Sequence, residues 1–517
     1  MLPPTPRALF SNSCGWGFAS LHPRLYSTAT RAQYKHLDTS FSQSAIVDRP
    51  SVLSPSESSG ILLLLDRVVF YGLMALIVLT AIPYGTVHPW SRALFQCSVF
   101  ALTLIWIVHG LVSGSWRVGN LRLILPIGAL VLLALVQSLT WWQVDSAGLK
   151  VGYSLSSDPF ESWVFVFRTS ALVLAALLLI RFTSTRNRLT ILIHTIIGVA
   201  VLSALFGIAR QSLQHSQGFV LPLLRPGLGF GQFINKNHFP YLMEMAMGLV
   251  AGVVLMSGKG RERIPLYLAA LLGLWAALVL SLSRGGLMAM TAQAIFAVLL
   301  FANSRRARKT DKDEIESSRF GWTRSLAVKV IMAATLLAFI VAGIVWLAGD
   351  KLSAGVESAA AEMTAVDRTE LHEGSRRRDI WRASWLMFKA YPITGAGLGG
   401  FWTELPYYHQ ASGVTTPQQA HNDYLEVLAS GGLLGAALLI WFVVVLIKQA
   451  RQSVRASEGF QRAAVLGAMV GLVGVGVHSL VDFGLHITSN SLVFVAMLAI
   501  ISLDPLPRTH NARARRS

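Results

Sequence analysis

The sequence predicts an all-α integral membrane protein with about 12 transmembrane helices and one large loop that carries an amphipathic helix. The first observation is composition: 53% of the 517 residues are hydrophobic and only 14% are charged, whereas soluble domains carry about 25% charged residues. The second is the length of the apolar runs, many of which reach the roughly 20 residues that a helix needs to cross a bilayer. No period-two alternation of the kind found in membrane β-barrels competes with this interpretation.

The predicted spans follow one another through most of the chain. They are 61–84, 92–112, 123–140, 162–181, 190–209, 239–257, 264–282, 285–303, 326–348, 427–447, 463–480 and 485–503. We group them into N-terminal helices (61–209) and a second membrane region (210–503), followed by a basic cytoplasmic tail at 504–517. Residues 1–60 hold serine, proline and arginine without the apolar stretch of a secretory signal, so we interpret them as a disordered cytoplasmic tail or an over-long start.

The distribution of basic residues predicts the orientation. The formal net charge is +18, and lysine and arginine concentrate in alternate short loops, above all at 304–325 and 448–462. The positive-inside rule then puts both termini in the cytoplasm and leaves the segments 210–238 and 349–426 on the outer face. No aromatic stacking platform accompanies the basic residues, so we expect contacts with the lipid bilayer and no nucleic acid.

The long loop 349–426 contains the run "RRRDIWRASWLMFKAYP". Trp381, Trp385 and Phe388 fall on one face of a helix over this run, which predicts an amphipathic helix in the membrane interface. Three arginines, 376–378, precede that helix. An arginine fork can hold a lipid-borne phosphate at two points, although a solvated basic patch is the simpler alternative.

Two further stretches carry chemistry at the predicted outer face. Arg284 lies in "LSLSRGGLMAM", where the positive-inside bias disfavours an arginine, so we interpret it as an anion ligand or as a snorkelling side chain. His421 opens "AHNDYLEVLASGGLLG" and can exchange a proton near neutral pH. Asn422 would cap the following helix, and Gly431, Gly432 and Gly435 would let that helix pack closely on a neighbouring helix.

These stretches, taken in order, resemble the O-antigen ligase and polymerase family. His421, Asn422, Gly432 and Gly435 fit its pattern of His, then Asn, Ser or Gln, nine residues, and Gly-x-x-Gly. The stretches "GFGQFINKNHFPYLMEMAMGL" and "VHSLVDFGLHI" also look like this family, and the resemblance covers roughly 200 to 490. Tyr391 departs from the family, where a histidine often precedes the proline.

The resemblance implies an enzyme of the bacterial inner membrane whose active site faces the periplasm. It transfers a glycan from a polyprenyl diphosphate donor to an acceptor in cell-surface polysaccharide synthesis. By position, Arg284 and Arg377 would bind the donor diphosphate and His421 would act on the acceptor hydroxyl. Asn422, Asn237, His478 and Asp482 would support them, and which of the arginines 376–378 binds the donor stays open.

We expect no metal and no cofactor. The acidic residues of the outer face are spread out and lack a paired Asp-x-Asp motif, and two arginines could replace a divalent cation. A multi-pass transporter or flippase is the alternative from another class, although no internal repeat is visible. The acceptor could be another glycan, lipid A-core or a protein, because the sequence does not separate a ligase from a polymerase.

Overall fold

The computed structural model describes residues 55–116, 118–144, 146, 148–216, 218–227, 229–256, 261–306, 377–409 and 417–506. The predicted span 326–348, the first part of the loop 349–426, Arg376 and the residues after 506 lie outside this part. The same holds for the predicted tail up to residue 54.

The described part is a helical bundle. Its helices are α1 (Pro55–Ala81), α2 (Pro89–Ser113), α3 (Ile124–Ser138), α4 (Pro159–Phe182), α5 (Arg186–Leu213), α6 (Phe239–Met256), α7 (Ile264–Leu280), α8 (Arg284–Arg306), α9 (Arg377–Ala390), α10 (Phe401–Glu404), α11 (Asp423–Ala456), α12 (Gly459–His478) and α13 (Thr488–Ser502). Short 3₁₀ turns occupy Arg261–Arg263, Leu405–Tyr407 and Gly484–His486.

Six of these helices are long and apolar enough to cross a membrane: α1, α2, α4, α5, α11 and α12. Five others (α3, α6, α7, α8 and α13) are apolar but shorter, and each coincides with a predicted span. The all-α membrane class is therefore confirmed, while the count of twelve spans stays a prediction.

One hairpin interrupts the helices. Strands β1 (Thr140–Val144) and β2 (Lys150–Ser154) pair antiparallel, with Trp142 opposite Gly152. The sequence predicts no strand here, because "TWWQV" is short and continues an apolar span. All five residues of β1 are exposed, so the hairpin adds surface rather than core.

Glycine residues allow a close backbone contact between α6 and α12. A Cβ atom on Gly248 would lie 2.4 Å from the backbone nitrogen of Gly471, and one on Gly252 would lie 2.7 Å from the Cα of Gly467. Such small-residue stripes let the backbones of membrane helices touch. This contact fixes the residues that precede α6 relative to those that follow α12.

Helix α11 is broken at Gly432, whose φ of 60° and ψ of −156° are not helical. The segment after α9 fills the break: the N–H of Leu433 donates to Pro392 O, and the N–H groups of Ala396 and Gly397 donate to Ala429 O and Ser430 O. The sequence predicts that Gly431, Gly432 and Gly435 let α11 pack closely on a neighbouring helix. This prediction is wrong for Gly432. Its α-carbon faces a loop backbone instead, since a Cβ there would lie 2.4 Å from Ile393 O.

Gln137 of α3 completes this junction. Its side chain is fully buried and its Nε2 donates to Thr394 O at 2.6 Å and to Ser430 O at 3.1 Å. Its Oε1 accepts the N–H of Leu398 at 3.0 Å. One amide thus joins two backbone groups of the loop after α9 to one carbonyl of α11.

Candidate functional site

Several helix ends meet at the segment between α12 and α13, residues 479–487. His238 directly precedes α6, Arg284 and Arg377 begin α8 and α9, and His421 lies two residues before α11. All of these N-terminal ends point toward the C-terminal end of α12. Since helix N-termini carry partial positive charge, their convergence favours an anion at this end of the bundle.

Asp482 is the centre of this group. Its side chain is 1% exposed, and its Oδ2 accepts a hydrogen bond from Arg377 Nη2 at 3.1 Å. Its Oδ1 accepts the N–H of Phe483 at 2.9 Å and lies 3.6 Å from Nδ1 of His421 and 3.9 Å from Nε2 of His238.

The surroundings of Asp482 keep it ionised. Burial by itself would raise the pKa of this carboxyl, but the neighbouring imidazoles of His421 and His238 and the charge of Arg377 lower the pKa to about 2. A fixed negative charge therefore binds one guanidinium and faces one imidazole, His421, whose Nδ1 forms no hydrogen bond with the described residues.

Phe483 packs the histidines around this carboxylate. Its ring lies edge-on to His421 at 4.7 Å, to His238 at 4.8 Å and to His486 at 5.9 Å between ring centroids. Sequence reasoning missed Phe483, because a phenylalanine inside an apolar stretch gives no signal that three imidazoles surround it.

Both neighbours of His421 are held by hydrogen bonds. Asn422 is the N-cap of α11, with its side chain accepting the N–H of Leu425 at 3.0 Å, so the predicted cap is confirmed. On the other side, Ala420 donates its N–H to Glu426 and accepts a bond from the indole of Trp381. His421 itself has a φ of 50°, a backbone conformation that costs energy for a residue other than glycine.

Trp381 links α9 to this position through its bond to Ala420. The buried face of α9 consists of Ile380, Ala383, Ser384 and Met387, which pack against the protein. Trp385 is 46% exposed. The predicted amphipathic helix is present, but its aromatic residues do not share one environment. Trp385 is directed outward, as in an interfacial helix, whereas Trp381 and Phe388 are half-buried.

His478 forms a separate buried pair with Glu244 of α6. Its Nδ1 lies 2.8 Å from Glu244 Oε1, both side chains are fully buried, and the imidazole stacks on Tyr241. A Cβ atom on Gly285 would lie 2.5 Å from Nε2 of His478. Only glycine fits there, so the first turn of α8, which begins with Arg284, rests directly on this histidine.

The remaining predicted residues are less central. The backbone N–H of Asn237 donates to the side chain of Asn235, and the contacts described for the chain link its side chain to none of the Asp482 group. Arg378, next to Arg377, is exposed. Of the arginine triplet, Arg377 is the residue in contact with Asp482, and Arg376 lies outside the described residues.

Within the described ranges, no three histidine, cysteine or acidic side chains form a group that could hold a metal ion. Metal independence stays a prediction, because part of the large loop is not covered by that search.

A family model described as O-Antigen ligase matches residues 268–440 of the 517. This region belongs to the O-antigen ligase family. The match includes Arg284, Arg377, His421 and the glycines of α11, which confirms the predicted family. The match supports a membrane glycosyltransferase role for the protein. No curated protein matches the sequence.

Proposed function

We propose that the protein transfers a glycan from a polyprenyl diphosphate donor to an acceptor hydroxyl, with its active site on the periplasmic side of the bacterial inner membrane. The observation that carries the proposal is the meeting of Arg377 and His421 on opposite oxygens of Asp482, within a chain that matches the O-antigen ligase model. A transporter is not favoured, because that match points to glycan transfer.

The reaction would be a displacement at the anomeric carbon of the donor. The acceptor oxygen forms a bond to that carbon, while the bond from the carbon to the diphosphate oxygen breaks. The proton of the acceptor hydroxyl passes to His421, and the electron pair of the broken bond leaves with the polyprenyl diphosphate. A positioned base and a stabilised leaving group are the two requirements of this chemistry.

Arg377 has N–H donors that are available to bind the leaving diphosphate. A guanidinium carries five N–H donors, and the bond to Asp482 uses one of them. The side chain is 41% exposed, so a diphosphate can approach it. Arg284, which begins α8 and is exposed, would supply the second guanidinium, and the helix N-termini around Asp482 would add partial positive charge.

Asp482 would act as a positioning residue. It is too deeply buried to meet a substrate, but it fixes both Arg377 and His421. A negative charge next to the imidazole would also stabilise the imidazolium that forms when His421 takes the acceptor proton. His238 and Phe483 would complete the wall behind it.

A matched pair of arginine variants tests this assignment. Arg377→Ala should abolish transfer in reconstituted membranes while the protein still inserts and accumulates, and Arg377→Lys should recover little, because lysine lacks the planar fork. Arg378→Ala, which removes the same charge one position along and is exposed, should keep most of the activity. Full activity in Arg377→Ala, or equal losses in both alanine variants, would contradict a specific donor contact.

A further inference from the structure

The β1–β2 hairpin carries large apolar side chains that the described part of the protein does not cover. Trp141 and Trp142 are 58% and 69% exposed, and Val144 and Tyr153 are exposed as well. The reaction proposed above uses none of these residues. Exposed apolar surface that is concentrated in this way normally marks a contact with a membrane or with a partner.

The exposed side chains lie on both faces of the hairpin. Residues directly opposite each other in an antiparallel pair share a face, and neighbours along a strand alternate between faces. Trp141 and Tyr153 therefore share one face, while Trp142, opposite Gly152, lies on the other face together with Val144. A Cβ atom on Gly152 would lie 3.4 Å from the Trp142 ring, so the indole rests on the hairpin itself. A partner protein would cover one of these faces, whereas a surrounding lipid surface covers both.

The length of α3 places the base of the hairpin in the outer leaflet. Helix α3 has 15 residues, which span about 22 Å at the rise of a helix, whereas the hydrocarbon core is about 30 Å thick. Its first end lies on the predicted cytoplasmic side, where Arg122 donates to Gln452. A helix that starts there ends several ångströms short of the outer boundary, and β1 begins after one further residue.

The backbone of the hairpin is suited to the interface and not to the hydrocarbon. Each strand of a two-stranded sheet has one edge whose N–H and C=O groups lack a strand partner, and such groups are costly in hydrocarbon. Head groups and water can satisfy them. Tryptophan and tyrosine prefer the same level of the bilayer, because their rings are apolar and their N–H and O–H groups are polar. Lys150, opposite Val144, is exposed and can extend toward lipid phosphates.

The exposed apolar surface continues from the hairpin onto both adjoining helices. Leu132 and Val136 of α3 are exposed, as are Phe160 and Phe167 of α4, a helix apolar enough to span the membrane. A small molecule such as a sugar would need a concave site with a few placed polar groups, whereas both faces of this two-stranded ribbon are exposed. A lipid surface is the partner that fits the hairpin.

We propose that the β1–β2 hairpin is inserted in the head-group region of the outer leaflet, with lipid against both of its faces. The hairpin thereby anchors the loop after α9, because the residues that follow β2 are bonded to that loop. The N–H of Ser157 donates to Ala396 O at 2.8 Å, and Oγ1 of Thr403 donates to Asp158 Oδ2 at 2.9 Å. The proposal depends on the exposure and register of the hairpin and is independent of the proposed reaction.

Single cysteine variants labelled with the fluorophore NBD measure the depth of each position. Trp141→Cys and Trp142→Cys report the two faces, and Val144→Cys reports the second face with both tryptophans kept. Leu132→Cys, on the exposed side of α3, is the control for the hydrocarbon core. Arg455→Cys, exposed at the end of α11, is the control for water.

The test uses the full chain in phosphatidylcholine nanodiscs, with the two native cysteines, Cys14 and Cys97, replaced by serine. We expect a nitroxide on the lipid head group to quench both hairpin faces most strongly. A nitroxide near the end of the acyl chain should quench the Leu132 position most, and iodide the Arg455 position. Iodide quenching of either hairpin face should be at least roughly 3-fold weaker than at Arg455, because rings at head-group level are shielded from water.

Three results would overturn the proposal. Iodide quenching of both faces as strong as at Arg455 would place the hairpin in water, where a protein or a glycan would be its partner. Strong iodide quenching of one face alone would mean that lipid covers only the other. Quenching by the acyl-chain nitroxide as strong as at Leu132 would place the hairpin in the hydrocarbon core.

Discussion

Among single residues, Asp482 has the most connections in the candidate site. One buried carboxylate accepts hydrogen bonds from a guanidinium and a backbone N–H, and the imidazoles of His421 and His238 lie 3.6 and 3.9 Å away. His238 has no hydrogen-bond partner for its Nε2 among the described residues. Its pKa is lowered to about 4, first because it is buried and then because His421 and His478 are near, which outweighs the opposing effect of Asp482.

The low pKa of His238 predicts a pH-dependent stability. The folded protein keeps this imidazole neutral, whereas the unfolded chain takes up a proton below about pH 6.5. The free energy of unfolding should therefore fall as the pH drops from about 6.5 to 4, by up to about 3 kcal/mol from this residue. Thermal unfolding of wild type and His238→Gln, compared at pH 7 and pH 4.5, checks this. We expect the advantage of the wild type to shrink at the lower pH. Parallel losses in both proteins would contradict it.

The sequence could name the site residues but not how they pair. Arg377 was indistinguishable from Arg376 and Arg378, because three adjacent arginines have the same chemistry and only the start of α9 decides which one reaches Asp482. Phe483 and Gln137 gave no signal, since their roles depend on partners far away in the chain. His421 and Asn422 were predictable because capping is a local interaction.

At the scale of elements, the break in α11 ties the segment after α9 to the proposed site. Because Gly432 has a positive φ and faces a loop backbone, Gly432→Ala should lower the free energy of unfolding by at least about 2 kcal/mol, from strain and the clash with Ile393. Gly198→Ala, on α5 in open space, is the matched control and should change little. Thermal unfolding in the same detergent measures both. An equal midpoint for the two variants would mean that the break is not required.

The sequence predicts that the glycines of α11, Gly431, Gly432 and Gly435, let this helix pack closely on another helix. Close packing between helices does occur in the bundle, but at Gly248 of α6 and Gly467 of α12, which the sequence analysis did not single out. The prediction fails at Gly432 because a Gly-x-x-Gly spacing cannot distinguish a close helix from an inserted loop. The difference lies in Pro392 and Ile393, which the sequence places in a turn without showing where the turn docks.

In the whole molecule, basic residues of the short loops that the structure describes lie at the helix ends opposite the candidate site. Arg188 pairs with Asp66, and Arg122 donates to Gln452, both at the helix ends remote from Asp482. This arrangement agrees with the orientation predicted from the positive-inside rule. A reporter fused after Arg455 should therefore read cytoplasmic, and one inserted near Val414 should read periplasmic. The opposite pattern would put His421 and Arg377 in the wrong compartment for a periplasmic enzyme.

In the proposed reaction, His421 takes the acceptor proton while the arginines hold the donor. The most direct test is the rate of glycan transfer by His421→Ala and His421→Gln, measured together with donor binding in reconstituted membranes. A general base contributes roughly 100- to 10,000-fold to a rate, so both variants should lose about that much turnover and bind the donor nearly as the wild type does. Weakened donor binding with turnover spared would contradict the claim and assign His421 to the diphosphate site.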